Sequence, residues 1–244
     1  MSWPQGRRSV AVAAKAPASQ TLSRGISILE ALSEARGPLT IDELAARLQL
    51  HRSVTYRLLR TLEDHGLVTR NLGGRLELGA RLAALAAGVA HDLQTVALPE
   101  LTSAADDLGM TCFLAVVDGD ECVTLVSAAP QHVIASVAQR PGSRHPVSVG
   151  APGKAILSIL PDEEWPNGVS QQLRRQVEQV RRRGFATSRD EVIPTVRAVA
   201  VPLELRGHRP TSMAAIHVSS TFDEQSIAAR LHGAAGAIRT GLDG

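Results

Sequence analysis

Aromatic side chains are nearly missing from this 244-residue chain, which holds three Phe, two Trp and one Tyr. Proteins that grip single strands or RNA stack bases on such rings, so the shortage steers any nucleic-acid reading toward duplexes. Cysteine is scarce too, with only Cys112 and Cys122. A two-residue turn at Asp118-Gly119 would send them to opposite faces of a hairpin. That geometry disfavours a disulfide and fits a reducing cytosol with buried thiols. Neither C-x-x-C nor H-E-x-x-H occurs, nor does a P-loop or G-x-G-x-x-G, so no metal, cofactor or nucleotide is expected. No apolar run approaches the roughly 18–20 residues of a membrane span, and the stretch at 79–90 contains Arg81. Arg7-Arg8 hints at a twin-arginine signal. The apolar run behind it is short and ends at Lys15, so residues 1–20 read as a disordered tail and the protein as cytoplasmic, without a membrane partner.

Net charge is small, +2, but uneven: residues 1–78 hold 11 Arg or Lys against 7 Asp or Glu. A basic N-terminal part and a near-neutral remainder suit a DNA reader joined to another domain.

Residues 40–78 carry the strongest pattern. Thr40 and Glu43 form a T-x-x-E capping box. Ile41, Leu44, Ala45 and Leu48 then mark one helical stripe, and Gln49-Leu50-His51 a short turn. The next helix has Thr55, Leu58, Leu59 and Leu62 on one face. Ser53, Tyr56, Arg57 and Arg60 lie on another, with Arg52 beside them. Two helices around a short turn make a helix-turn-helix. The second helix of such a unit lies in the major groove, where Arg bonds guanine and Ser or Tyr reaches bases or phosphates. Gly25, Ile28, Leu29 and Leu32 predict a preceding helix, stopped near Gly37-Pro38. Leu67–Arg70 and Arg75–Leu78 predict a hairpin wing around Asn71-Leu72-Gly73-Gly74, with Arg70 and Arg75 placed to grip phosphate.

Arg81–Leu93 predicts a linker helix, and 94–108 continues in helical style with Pro99 and Gly109 as punctuation. Strands are expected at 112–117, 121–127, 133–137, 196–203 and 212–219. Helices are expected from Gly153, with Pro152 as first helical residue, through Leu173–Val180 to Gly184, and after a Thr221–Glu224 capping box. The run Arg181-Arg182-Arg183 reads as a solvated helix end. This mixture predicts an α+β second domain. The expected domains are a tail at 1–20, a winged helix-turn-helix at 21–79, a linker helix at 80–93 and a second domain at 94–244.

The chain from Thr21 onward resembles the IclR family of bacterial transcriptional regulators. The matching segments are SRGISILEALSEARGPLTIDELAARLQLHRSVTYRLLRTLEDHGLVTR, SVGAPGKAILSILP, RRRGFATSRDEVIPTVRAVAVPLE and MAAIHVSS, in the family order. The resemblance implies a winged helix-turn-helix, a linker helix and a GAF-like effector-binding domain. It also implies homodimers or dimers of dimers on double-stranded operator DNA, acting as repressors, activators or both. Family effectors are often small organic acids or aromatic catabolites. By position, the implied effector site comprises Gly150, Ala151 and Gly153 at a helix start, Ser188 and Asp190 in a loop, Ala198 on one strand, and His217 and Ser219 on another.

Read physically, Met213, Ala215, His217 and Ser219 alternate onto one strand face. His217 and Ser219, with amides at the Gly153 helix start, suit a carboxylate ligand. A core histidine bonded to backbone is the equal alternative for His217. Two other functions stay open. A closed pocket would leave a ligand-independent DNA-binding repressor. The residue types of acid–base or nucleophilic chemistry occur at His145, Ser148, Asp190 and His217, but no elbow motif supports an enzyme and no catalytic residue is assigned.

Overall fold

The computed structural model describes residues 19–132 and 136–243. Residues 133–135 of the expected strand at 133–137, and most of the expected tail, therefore lie outside the described residues, while 136 and 137 are not in a strand. The chain divides into two compact units, one up to Val89 and one from Ala90.

The first unit opens with α1 (Gln20–Glu34), capped by the Ser19 hydroxyl. Helix α2 (Ile41–Arg47) starts on the expected capping box: Thr40 Oγ1 accepts from the Glu43 amide at 3.2 Å, and Glu43 returns the bond at 2.7 Å. Gln49 takes a positive φ of 52° in the turn before α3 (Arg52–Asp64). His51 caps α3, and Gly66, at φ 66°, follows its end, where a residue without Cβ adopts the left-handed turn freely. Strands β1 (Val68–Arg70) and β2 (Leu76–Leu78) pair antiparallel. Ile28, Leu32, Leu44, Leu59, Val68 and Leu76 form one shared core. Each fully buried Leu or Ile contributes about 1.5–3 kcal/mol, so three short helices and a two-stranded wing hold together around it.

The expected single linker helix is broken. Helix α4 (Arg81–Ala86) ends four residues before Ala90, which sits at φ 45°, and α5 (His91–Leu108) starts afresh. A left-handed non-glycine residue cannot continue a right-handed helix. Pro99, expected as punctuation, instead lies inside α5. An interior proline costs about 3 kcal/mol. Ala97, Leu101, Ala104, Ala105 and Leu108 are buried on the same helix, and their burial outweighs that cost.

The second unit is built on a six-stranded antiparallel sheet in the order β5-β4-β3-β8-β7-β6. The strands are β3 (Thr111–Asp118), β4 (Glu121–Ala128), β5 (Arg144–Pro146), β6 (Ala186–Arg189), β7 (Arg197–Leu203) and β8 (Thr211–His217). Helices α6 (Gly150–Ile159) and α7 (Gln171–Arg183) cover one face, and α5 with α8 (Glu224–Asp243) the other. On β3, β7 and β8 strand parity assigns side chains to layers, while on β4 a bulge opposite Leu114 and Ala115 shifts it and puts Cys122 and Val126 in different layers. Cys112, Leu114, Val199, Val201, Met213 and Ala215 pack toward α5 and α8. Phe113, Ala115, Ala198, Ala200, Ala214 and Ile216 pack toward α6 and α7. The two cysteines are free, buried and in different layers, and burial pushes both thiols up to about 12.

Three local expectations change. Helix α6 begins at Gly150, so Pro152 is its third residue; its missing N–H falls among the first-turn amides that lack helical partners anyway. The start of α8 is capped by Asp223, whose Oδ1 accepts from the Ser226 amide at 2.7 Å, not by a Thr221–Glu224 box. Strands β5 and β6 escaped the periodicity reading because three or four residues carry too little pattern.

Candidate functional site

Helix α3 divides as its spacing demands. Thr55, Leu58 and Leu59 are buried. Arg52, Ser53, Tyr56, Arg57 and Arg60 are exposed on the remaining surface, with Tyr56 at 54%. The exposed residues differ in how free they are. Ser53 Oγ lies 2.8 Å from His51 Nδ1, inside the helix cap. Arg52 meets Asp42 at 3.0 Å, with both side chains largely exposed; such a pair is worth under about 1 kcal/mol and yields readily to a phosphate. Arg57 and Arg60 have no ion pair among the described residues. They are two unspent cations one helical turn apart.

The wing arginines are committed inside the unit. Arg70 Nε meets Glu63 at 2.7 Å and its guanidinium donates to the Gly74 carbonyl at 3.2 Å. Arg75 donates to the Pro38 carbonyl at 3.0 Å and to Glu43 at 3.4 Å. Glu43 is held below the ordinary carboxylate range, first by hydrogen bonds at Thr40 and further by Arg75. These bonds fasten the wing to α3 and to the start of α2. At the wing tip, Asn71 Oδ1 accepts from the amides of Gly73 and Arg75, leaving Leu72 fully exposed.

In the second unit, a cavity opens where α6 begins. Gly150, Ser188 and Ala198 line it together with Phe113, His145, Gln139 and Ile216. Val192, Ile193 and Val196 form its loop wall. Its free volume is about 40 Å³, room for a water or two by the usual measure. Gly150 sits at φ 83°, and an added Cβ would lie 2.9 Å from Val192 Cγ2. The loop therefore packs directly on the helix start.

That helix start is already occupied by the chain's own side chains. Glu191 Oε2 accepts from the Gly150 amide at 2.9 Å, and Ser188 Oγ from the Ala151 amide at 3.0 Å. Glu191 Oε1 meets Lys154 Nζ at 2.5 Å, and that ammonium also donates to the Thr187 carbonyl. The Lys154 side chain is only 3% exposed. A positive helix end favours a carboxylate there, and Glu191 supplies it.

Several expected site residues stand elsewhere. Gly153 packs against the chain, since a Cβ on it would lie 2.0 Å from the Val147 carbonyl oxygen; it sets how closely α6 approaches. Asp190, at φ 58°, accepts from the Thr195 amide at 2.6 Å and closes its own loop. Thr195 is also left-handed, at φ 69°. His217 and Ser219 line an adjoining groove, beside Met110 and Val218, which shares Ile193, Val196 and Ile216 with the cavity. His217 falls on the α5/α8 side by the parity that places Met213 and Ala215 there, and Ser219 lies beyond the end of β8. The neighbour that reaches the cavity is Ile216, paired with Ala198 across the sheet. Burial, and next the charge of Arg197, pull the His217 imidazole below its ordinary range. Its buried Nδ1 has no hydrogen-bond partner.

The four residues of the enzyme alternative do not converge. His145 lines the cavity, Ser148 a separate cleft with Pro166 and Ser170, His217 the second groove, and Asp190 bonds backbone. Among the described residues no group of three His, Cys, Asp or Glu is placed to hold a metal. Among them, too, no helix is long and apolar enough to cross a membrane.

Comparison with known proteins matches two segments of the chain. Residues 21–72 match the IclR helix-turn-helix domain, and residues 86–239 match the bacterial transcriptional regulator IclR C-terminal domain. A probable transcriptional regulator, SauR of Cupriavidus necator, is 29% identical over 80% of this chain and 84% of its own length. The solved IclR transcriptional regulator of Alicyclobacillus acidocaldarius superposes with a TM-score of 0.77 at 26% identity, covering 91% of this chain and 98% of that one. An IclR homolog from Microbacterium hydrocarbonoxydans, complexed with 4-hydroxybenzoate, has the same fold: TM-score 0.78, 24% identity, 91% and 99% coverage. A winged helix-turn-helix followed by a GAF-like α+β domain, matched along nearly the whole described chain, places this protein in the IclR family of DNA-binding transcriptional regulators.

Proposed function

We propose that the protein reads double-stranded operator DNA with the outer face of α3 and that a small organic molecule in the α6 cavity controls the binding. The carrying observation is the pair Arg57 and Arg60, exposed and unpaired on a helix whose opposite face is core. Arg52, Ser53 and Tyr56 extend this face, and Arg70 and Arg75 support the wing beside it. The first test is a mobility shift on the DNA flanking the protein's own gene. Arg57→Ala is expected to weaken specific binding by about 1–3 kcal/mol at matched salt, with the fold intact by circular dichroism. Unchanged operator affinity removes Arg57 from the interface.

Two recognition helices read two half-sites when the protein pairs with itself, as a homodimer or a dimer of dimers. Leu22 and Ile26, four residues apart and both exposed on α1, offer an apolar stripe for such pairing. Sedimentation of the full chain tests it: a monomer at every concentration ends the paired reading. The intended setting is the cytoplasm, where the DNA is.

Effector control draws support from the cavity's apolar walls and from the homolog solved with 4-hydroxybenzoate. A ligand-independent regulator is the second reading. It is favoured by the small free volume and by Glu191 seated on the Gly150 amide. Thermal shift against small carboxylic acids, phenols and aromatic catabolites separates the two, since a ligand that binds only the folded state raises Tm.

A further inference from the structure

Beside its apolar walls, the α6 cavity is lined by the polar residues His145, Gln139 and Ser188. His145 Nδ1 lies 3.1 Å from the Pro146 carbonyl oxygen. A carbonyl only accepts, so this contact needs Nδ1–H, and in that tautomer Nε2 is the accepting nitrogen. Gln139 Nε2 donates one of its two N–H groups to Thr124 Oγ1 at 2.6 Å, and its Oε1 is an acceptor. The donors that would greet an anion, the amides of Gly150 and Ala151, are taken by Glu191 and Ser188. The nearest cation, Lys154, is held by the same Glu191.

We propose that this cavity selects an uncharged, hydroxyl-bearing ligand over a carboxylate, and that Glu191 sets that preference by occupying the anion seat while His145 Nε2 accepts the hydroxyl proton. The inference rests on the effector reading above and names its ligand class. A carboxylate entering here approaches the fixed negative charge of Glu191. To bond the Gly150 amide it must evict Glu191 and separate an ion pair whose side chains are 3% and 30% exposed. Breaking a largely buried pair leaves an uncompensated charge and is strongly unfavourable. A hydroxyl donates to an acceptor already in place and leaves that pair intact. Phe113, Val192 and Ile216 supply an apolar surround for the rest of the ligand. Either ligand needs the 190–196 loop to give way, so loop movement does not discriminate between them.

Phenol and benzoate share a ring and differ in the headgroup, and they are the probes. Calorimetric titration of the full chain is expected to show phenol bound at least about ten-fold more tightly than benzoate, a difference of about 1.4 kcal/mol. Glu191→Gln is expected to shift that ratio about ten-fold toward benzoate. His145→Phe is expected to lose phenol affinity with Tm retained, and this arm decides if the Glu191 variant does not fold. Benzoate bound by wild type as well as phenol overturns the inference and leaves effector control standing. Phenol affinity unchanged in His145→Phe overturns it too, as does no binding of either probe at millimolar concentration. Operator shifts run on the same samples keep these failures separate from failure of the regulator reading, which shows instead as operator binding indifferent to every compound in the wider panel.

Discussion

His217 lines the groove adjoining the α6 cavity, and its surroundings there have a consequence for stability. Its imidazole is pulled below the ordinary value of 6.5 by burial and by Arg197, against weaker opposing effects from a Ser219 backbone bond and Glu224. The folded state thus binds fewer protons than the unfolded chain around that pH. Linkage then makes stability rise with pH there. The contribution is complete above the unfolded value and is lost as pH falls through it toward the folded one. His217→Gln should therefore flatten the decline of Tm between about pH 7.5 and 5.5 in scanning calorimetry, where 6.5 is the unperturbed histidine value. A decline identical to wild type excludes His217 as its source. Glu43 and Asp223 are shifted down as carboxylates, so their contributions fade only at more acid pH, as pH falls through their folded values.

Among the elements, the helix-turn-helix was the most legible. A helix with one buried and one polar face declares itself at a period of 3.6, and on α3 Thr55, Leu58 and Leu59 are buried, Leu62 is half-buried, and Arg52, Ser53, Tyr56, Arg57 and Arg60 are exposed. The capping box of α2 was equally plain, because it is a local exchange between Thr40 and Glu43. What Arg75 does was hidden, since its partners Pro38 and Glu43 are far away in sequence. That difference is testable. Arg75→Ala should lower the Tm of the N-terminal unit while leaving the salt slope of operator binding unchanged. Arg60→Ala should reduce that slope by about 1 without a matching loss of Tm. Thr40→Ala removes the α2 cap and should cost about 1 kcal/mol. The second unit was harder to read because β3, β7 and β8 are buried on both faces. Such strands show no polar alternation, so sequence alone does not say that Ile216 lines the α6 cavity and His217 the groove adjoining it. The cavity also draws on Phe113, His145 and the 192–196 loop, which no single periodic segment contains. Glu191 stands next to Asp190 in the chain, but only the fold brings it onto the Gly150 amide.

For the whole molecule, effector control is a coupling free energy and is reciprocal: if a ligand weakens operator affinity by some factor, operator DNA must weaken ligand affinity by the same factor. Titrating ligand into free protein and into the protein–operator complex measures that factor, and equal ligand affinity in the two excludes effector control of operator binding. The cysteines offer a way to watch the second unit more closely. Cys112 lies in the layer under α5 and α8, and Cys122 in the layer under α6 and α7. Each is closed to solvent, and a thiol pushed to about 12 stays almost wholly protonated and therefore inert. Reaction with a disulfide reagent then requires its layer to open, so the labelling rate becomes a clock for local unfolding, one for each face of the sheet. In variants that keep only one cysteine, a ligand in the α6 cavity should slow the Cys122 clock and leave the Cys112 clock running at its own pace.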